Sequence, residues 1–458
     1  MNGDELKPRG LVRSLGTTGV LLLTLSVATP ASSVFVIVPG MFEVAGTGTL
    51  WALLIAALVC VATAFIYAEL SSAWPVVGGE YVMVAHTMGP AAGFVMLGVN
   101  VFNNLIFLPV AGLGVSEVLA SVIPGLPQLW TAIAVVAGCS LVGILNIRIN
   151  AVVTGLFLLL EVAALGVVGV LGLWGGVRDP IAMLGNPQVL VDGALQPAGA
   201  GAIGVAATIA IFALNGYGAA VYFGEEMHEA PRRIARTVML ALVATLLLEG
   251  IPVVAALMGA GDLAALFASG NPFGELVAQA AGSETARWVS IAVAIAIVNA
   301  IIAWVLACAR FFYGTGRDGT WGRPVDRWLQ MVHPRFGSPW AGTLMIGVVG
   351  MGLCFLPLRL LEVWSGTGLV AIYAGIALAV VVARRRGLTR QAPYRMPVWP
   401  VWPVITFAAL GYIGWTNLAD PVDGRPALIA TGVQIVACWL YWRFVLKPRG
   451  WQAVVPAG

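Results

Sequence analysis

Thr29-Pro30-Ala31-Ser32-Ser33 interrupts an apolar run that starts after Arg13 and continues through Ala45, and Asn215-Gly216-Tyr217-Gly218 interrupts a second such run. Each interruption falls midway along a stretch long enough to cross a bilayer. In hydrocarbon an unpaired backbone polar group costs several kcal/mol, so a broken span persists only where it is buried in protein or faces a cavity. Two breaks, one opening each half of the chain, predict a transporter with its binding site near mid-membrane. Taken singly, either break also reads as a kink or a close-packing site, because Pro and Gly are common in membrane helices. Their matching positions favour the functional reading.

The surrounding composition belongs to a membrane protein. Of 458 residues 60% are hydrophobic and 10% charged, against about a quarter charged in soluble proteins. The apolar run after Arg13 has no small-residue cleavage site, so it reads as a span rather than a signal peptide. A net charge of +3 gives no reason to expect a nucleic-acid partner. Cys60, Cys139, Cys308, Cys354 and Cys438 lie far apart in apolar stretches and read as buried thiols. His86, His228 and His333 fall between spans without metal-ligand spacing, so no metal or other cofactor is expected.

Apolar runs read against Gly, Pro and charge predict an all-α integral membrane protein with twelve transmembrane helices, at 17–44, 48–73, 88–121, 128–147, 150–174, 200–227, 236–259, 284–314, 340–357, 361–383, 399–418 and 426–446. With the N-terminus inside, 20 Lys and Arg fall on cytosolic segments and only Arg178, Arg287, Arg359 and Arg425 on the other side. That asymmetry predicts both termini cytoplasmic, in a plasma membrane (bacterial inner membrane). Helices 1–5 (17–174) and 6–10 (200–383) then have equal span counts and opposite orientation, a 5+5 inverted repeat with helices 1 and 6 broken at mid-membrane. Helices 11 and 12 (399–446) follow. The expected organisation is a tail at 1–16, one transporter domain at 17–446, and a second tail at 447–458.

Pro30 lacks an N–H and disrupts the turn before it. The helix restarting at Ala31-Ser32-Ser33-Val34-Phe35 would present unpaired N–H groups and its positive dipole end, which suits a carboxylate. Carbonyls freed at the end of the first half-helix suit an ammonium. In the second break, Phe212 to Gly218 combines a Gly pair, Asn215 and two aromatics, and carbonyls near Phe212 and Asn215 suit an amino group.

Longer motifs resemble the amino acid–polyamine–organocation (APC) superfamily of permeases. Ala68-Glu69-Leu70-Ser71-Ser72-Ala73-Trp74-Pro75-Val76-Val77-Gly78-Gly79-Glu80-Tyr81 is similar to that family's signature after helix 2. Gly224-Glu225-Glu226 with Ala230-Pro231-Arg232-Arg233, then Ala309-Arg310-Phe311-Phe312-Tyr313 with Gly316-Arg317-Asp318-Gly319, then His333-Pro334-Arg335-Phe336, match further family motifs in order. The resemblance implies the leucine-transporter-type fold, alternating access, and transport of amino acids or related amines. By that match the amides of Ala31, Ser32 and Ser33 would bind a substrate carboxylate, and the carbonyl of Thr29 its amino group. Phe212 stands at an aromatic gate, Asn215 and Gly216 line the second break, and Tyr217 and Trp304 are further gating candidates. Gly78-Gly79-Glu80 reads as a tight turn and Arg317-Asp318-Gly319 as an ion-pair turn, fold or gating elements rather than ligands.

Acids within apolar spans are costly and usually functional. Glu117, Glu161 and Glu249 qualify, and Glu161, expected near the first break, is the proton-coupling candidate; a paired structural acid is the alternative. Glu249 precedes Pro252, where its side chain would repair the kink. Asn100, Asn103 and Asn104 share a helical face that lines the pathway or joins helices. The expected function is a secondary active transporter of amino acids, H+-coupled or Na+-coupled or an exchanger, with a zwitterionic small-molecule substrate, the lipid bilayer as surroundings, and an open oligomeric state. A polyamine or organic-amine transporter is the alternative. A non-transporting amino-acid sensor is a further alternative, although it would ordinarily require a soluble signalling domain; an enzyme would require a convergent catalytic cluster and is not expected.

Overall fold

Hydrocarbon offers a backbone no hydrogen-bond partner except itself, and this chain is helical nearly throughout. The computed structural model describes residues 15–76, 78–145 and 147–453, with only the backbone of 147–154. Most of the expected N-terminal tail, including Lys7, Arg9 and Arg13, lies outside those residues, as do Val77, Asn146 and 454–458.

The first expected span is two helices. α1 (Thr17–Ala28) ends at Thr29, and a helical run from 30 to 45 follows: α2 (Pro30–Ser32), a π-helical turn (Ser33–Ile37) and α3 (Val38–Ala45). Then come α4 (Thr49–Ala73), α5 (Glu80–Met88), α6 (Pro90–Ala120), α7 (Gln128–Gly143) and α8 (Ile147–Trp174). α9 (Pro180–Gly185) and a hairpin of β1 (Gln188–Val191) and β2 (Ala194–Pro197) precede α10 (Ala200–Ala213). The hairpin turns on Asp192-Gly193, both at positive φ, the residue pair such turns select. It holds the far end of the broken helix, since the Gln188 N–H donates to Thr47 Oγ1 (2.8 Å).

A 3-10 turn (Tyr217–Phe223) completes the second broken element. The remainder is α11 (Ala230–Gly259), the short α12 (Leu263–Ala268) and α13 (Pro272–Ala281), α14 (Ser283–Arg317), α15 (Arg323–Leu329), α16 (Trp340–Leu353), α17 (Leu358–Arg385), α18 (Val401–Ala419) and α19 (Gly424–Tyr441). Helix therefore occupies each of the twelve expected ranges, to within a few residues. Among the described residues eight helical runs are long and apolar enough to cross a membrane, the first taking in Thr17–Ala73 as one stretch, while α7 and α16 are shorter apolar helices. The chain is a multi-pass membrane protein, helical apart from the one short hairpin among the described residues.

The two broken elements sit inside the bundle. α1 packs on α8, α11, α14 and the 3-10 turn, and α10 on α3, α4, α17 and α18. α8 shows how polarity is sorted on one helix. Leu156 and Leu159 are 67% and 68% exposed, on the face left for lipid, whereas Glu161 is 1% exposed. An acid on that helix is tolerable only because it turns inward.

Candidate substrate site at the two helix breaks

Thr29 makes the first break. Its N–H still bonds Leu25 O (3.1 Å), but its backbone turns to φ +52°, ψ +57°, a left-handed geometry that costs a β-branched residue about 1–3 kcal/mol. Pro30 then takes the first position of the new helix, where a missing N–H does no harm. The Thr29 carbonyl accepts from the Ser33 N–H (3.0 Å), and the Ala31 N–H donates to Glu161 Oε1 (2.6 Å). Ser33 Oγ donates to Ala213 O (2.8 Å), the last residue of α10. One hydroxyl thus ties the first break to the second.

This arrangement revises the expectation for residues 29–33. The Thr29 carbonyl and the Ser33 amide satisfy one another, and the amide of Ala31 already holds a carboxylate, that of Glu161. An acid therefore does stand at the breaks, although the segments that form them contain none. All of Thr29, Ala31, Ser32 and Ser33 are buried, and the hydroxyls of Thr29 and Ser32 have no hydrogen-bond partner.

At the second break, Leu214 N–H bonds Ala210 O (2.9 Å), Asn215 N–H bonds Phe212 O (3.3 Å), and Gly216 reverses the chain at φ +111°. Only glycine fits there. A Cβ at 216 would lie 2.4 Å from Ala28 Cα, so the backbones of the two breaks are in contact.

Beside this contact lies a cavity of about 20 Å³, lined by Glu80, Asn100, Asn104, Asn215, Tyr222 and Trp304 among others. It has room for a water, whereas small-molecule sites run to roughly 300–1,000 Å³, so no space of that size is open there. Asn103 also faces it and accepts from Ser365 Oγ (2.8 Å), so the asparagine face of α6 both lines the cavity and joins helices. Trp304 donates to Asn104 O (2.9 Å) and packs at a tilt against Phe107. Phe212 and Tyr217 are buried but do not line the cavity. Tyr217 instead bonds Thr63 Oγ1 (2.6 Å) and Tyr373 (3.2 Å), and Tyr373 donates to Asn215 Oδ1 (3.2 Å).

Glu80 is the residue that sequence reasoning misplaced. The Gly78-Gly79 turn forms as expected, at φ +122° and +57°, but it aims the Glu80 carboxylate into the cavity. Tyr67 (2.7 Å), Tyr222 (3.0 Å) and Asn100 (3.0 Å) all donate to it. A Cβ at Gly79 would meet the Tyr222 ring at 2.8 Å, so the glycine is what lets that tyrosine reach. Among the described residues no basic side chain pairs with Glu80. Three donors on three separate segments give no local sequence signal. Glu249 also departs from expectation: its buried carboxyl stands beside Ser33 of the first break and within electrostatic reach of Glu161, rather than at the Pro252 kink.

Beyond the cavity, the arginine-rich end is locked. Arg310 pairs with Glu226 (3.1 Å), both nearly buried, Arg317 with Glu225 (3.0 Å) and Asp318 (3.1 Å), and Tyr81 donates to Asp318 (2.9 Å). Leu15 adds a backbone bridge to this end through Glu226 O (3.0 Å) and His228 N–H (2.9 Å). Glu69, in the signature after helix 2, accepts from Arg384, Thr389 and the Met396 amide. Three of the four motifs therefore pair with one another in space, through Tyr81, Glu225, Glu226, Arg310, Arg317 and Asp318.

Residues 15–438 match the family described as amino acid permease. The chain belongs to that family. It is accordingly an APC-superfamily permease and not an enzyme. An uncharacterised transporter of Mycobacterium tuberculosis is 28% identical over 397 residues, covering 85% of this permease and 84% of its own length. The branched-chain amino acid permease BcaP of Bacillus subtilis is 24% identical, with 86% and 85% covered. The low-affinity putrescine importer PlaP of Escherichia coli is 22% identical, with 78% of each chain covered.

Proposed function

We propose that this permease is a secondary transporter of amino acids in the plasma membrane, working by alternating access, with Glu161 as its proton-coupling group. The observation that carries the reading is the bond from the Ala31 amide to Glu161. A carboxylate from the chain itself occupies the helix N-terminus where a substrate carboxylate would bind, which is what an anion site at that position should accept. Glu80, beside the second break and without a basic partner, supplies the complementary charge for an amino group. Residues 29–33 do not line the cavity in this closed state, so a zwitterion bridging the two requires the bundle to open and Glu161 to leave Ala31. Away from the amide, buried and within reach of the Glu249 carboxyl, Glu161 is tolerated in its neutral form, so substrate binding and proton uptake become one event.

Twelve membrane crossings, an inverted 5+5 repeat and cytoplasmic termini complete the reading. Helix at all twelve expected ranges and the Lys/Arg asymmetry of the sequence support it. In this state the arginine-rich end is closed, and alternating access would require its ion pairs to separate.

A second reading, transport of amines lacking a carboxylate, is favoured by Glu80. Such a substrate would leave Glu161 in place. The two differ in one assay. Proteoliposomes are given an L-amino acid and its decarboxylated amine, with and without an inward proton gradient. The first reading expects gradient-driven uptake of the amino acid, lost in Glu161→Gln while counterflow persists. Amino-acid uptake that ignores the proton gradient and follows sodium refutes the coupling, and exchange of the amine alone moves the assignment to the second reading.

A further inference from the structure

At the end of the bundle away from the ion-pair lock, α3, α6, α12 and α17 line a second, open cavity of about 290 Å³. Three carboxylates on three helices line it: Glu43, Glu117 and Glu362. The single basic group there, Arg359, is divided between Glu43 (2.9 Å) and Asp423 (2.9 Å). Glu362 is 2% exposed and its Oε1 has no hydrogen-bond partner. Its Oε2 lies 2.7 Å from where a Cβ of Gly40 would be, so the missing side chain at 40 is what seats this carboxylate. The cavity shares Glu117, Ser269 and Gly270 with a wider polar one of about 770 Å³, which carries Glu275, Glu284 and Arg287.

A buried carboxylate oxygen with no donor is costly, and more so among like charges. Such an oxygen is relieved either by a proton or by a cation, and the open cavity beside Glu362 leaves room for the second. The surroundings do not select a metal ion: among the described residues no group of three or more acidic, His or Cys side chains converges closely enough to hold one. The volume is also that of a small organic molecule. We infer that this cavity is a separate binding site for a small primary ammonium ion, with Glu362 as its principal ligand and Glu43 and Glu117 setting its charge. The site stands in line with the first break, since the helical run that begins at Pro30 also supplies Val36, Pro39 and Gly40 to the cavity wall. An amino-bearing solute held here would wait along the same helical run that forms the first break. Only that role depends on the transport reading; occupancy does not.

The test is equilibrium binding of radiolabelled n-butylamine to the full-length chain in lipid nanodiscs, with butyrate, Na+ and Ca2+ as competitors. Wild type is expected to show a binding class that weakens with ionic strength, is unaffected by butyrate, and is not displaced by millimolar Na+ or Ca2+ beyond the ionic-strength effect. Glu362→Gln should weaken that class about tenfold or more, as loss of a charge-assisted contact does. Gly40→Ala keeps every acid but displaces the Glu362 carboxylate, and should produce the same loss in protein that elutes as a single species. Unchanged binding in both folded variants overturns the site and leaves the transport proposal standing. Displacement by Ca2+ at matched ionic strength, lost in Glu362→Gln, overturns the organic identity of the ligand.

Discussion

Replacing Gly216 by alanine tests whether the two breaks touch. An added Cβ would lie 2.4 Å from Cα, 2.9 Å from Cβ and 3.0 Å from N of Ala28. These are mostly backbone atoms, so no side chain can swing aside. The residue would also be held at φ +111°. Left-handed backbone costs an L-residue about 1–2 kcal/mol, and overpacking a filled interior about 1–3 kcal/mol, for a total of about 2–5 kcal/mol. At roughly 2 °C per kcal/mol, the low end for large domains, the detergent-solubilised variant should unfold on the order of 4–10 °C below wild type. Differential scanning fluorimetry reads this directly. Gly218→Ala is the internal control, because its nearest neighbour would be the side chain of Tyr67 at 3.3 Å. It should cost under about 1 kcal/mol, within the range of a tolerated substitution. If the two variants melt together, the contact between the breaks is wrong and so is the site built on it.

Glu80→Gln turns one oxygen that accepts from Tyr67, or from Tyr222 and Asn100, into a donor, and should cost about 1–3 kcal/mol while affinity for amino-bearing substrates falls at least about tenfold; unchanged affinity in counterflow would remove Glu80 from the site. Arg310→Met strands Glu226 and should cost about 3–5 kcal/mol in thermal unfolding, with Arg310→Met/Glu226→Gln recovering most of it; no recovery would mean that the pair is not what holds the closed end. Trp304→Phe forfeits the bond to Asn104 O, about 1 kcal/mol, and should raise the substrate KM more than it lowers the melting temperature. An unaltered KM would make Trp304 a packing residue alone.

The sequence by itself determined where the helices run and where two of them break. Both are local effects: long apolar runs leave the backbone no alternative to helix, and Pro30 and Gly216 act on their own turns. It also fixed the asparagine face of α6, because 3.6-residue periodicity depends on nothing distant. Tertiary structure decided what the breaks meet. The acid that fills the Ala31 amide comes from a residue 130 positions away, and the residues that surround Glu80 come from α4, α6 and the 3-10 turn. Glu80 read as turn material because the glycines before it do form a turn, and nothing local records that the side chain after a turn enters a cavity. A hydrogen-bond partner so far along the chain is chosen by how helices pack, and packing is settled only when every apolar face has found its neighbour.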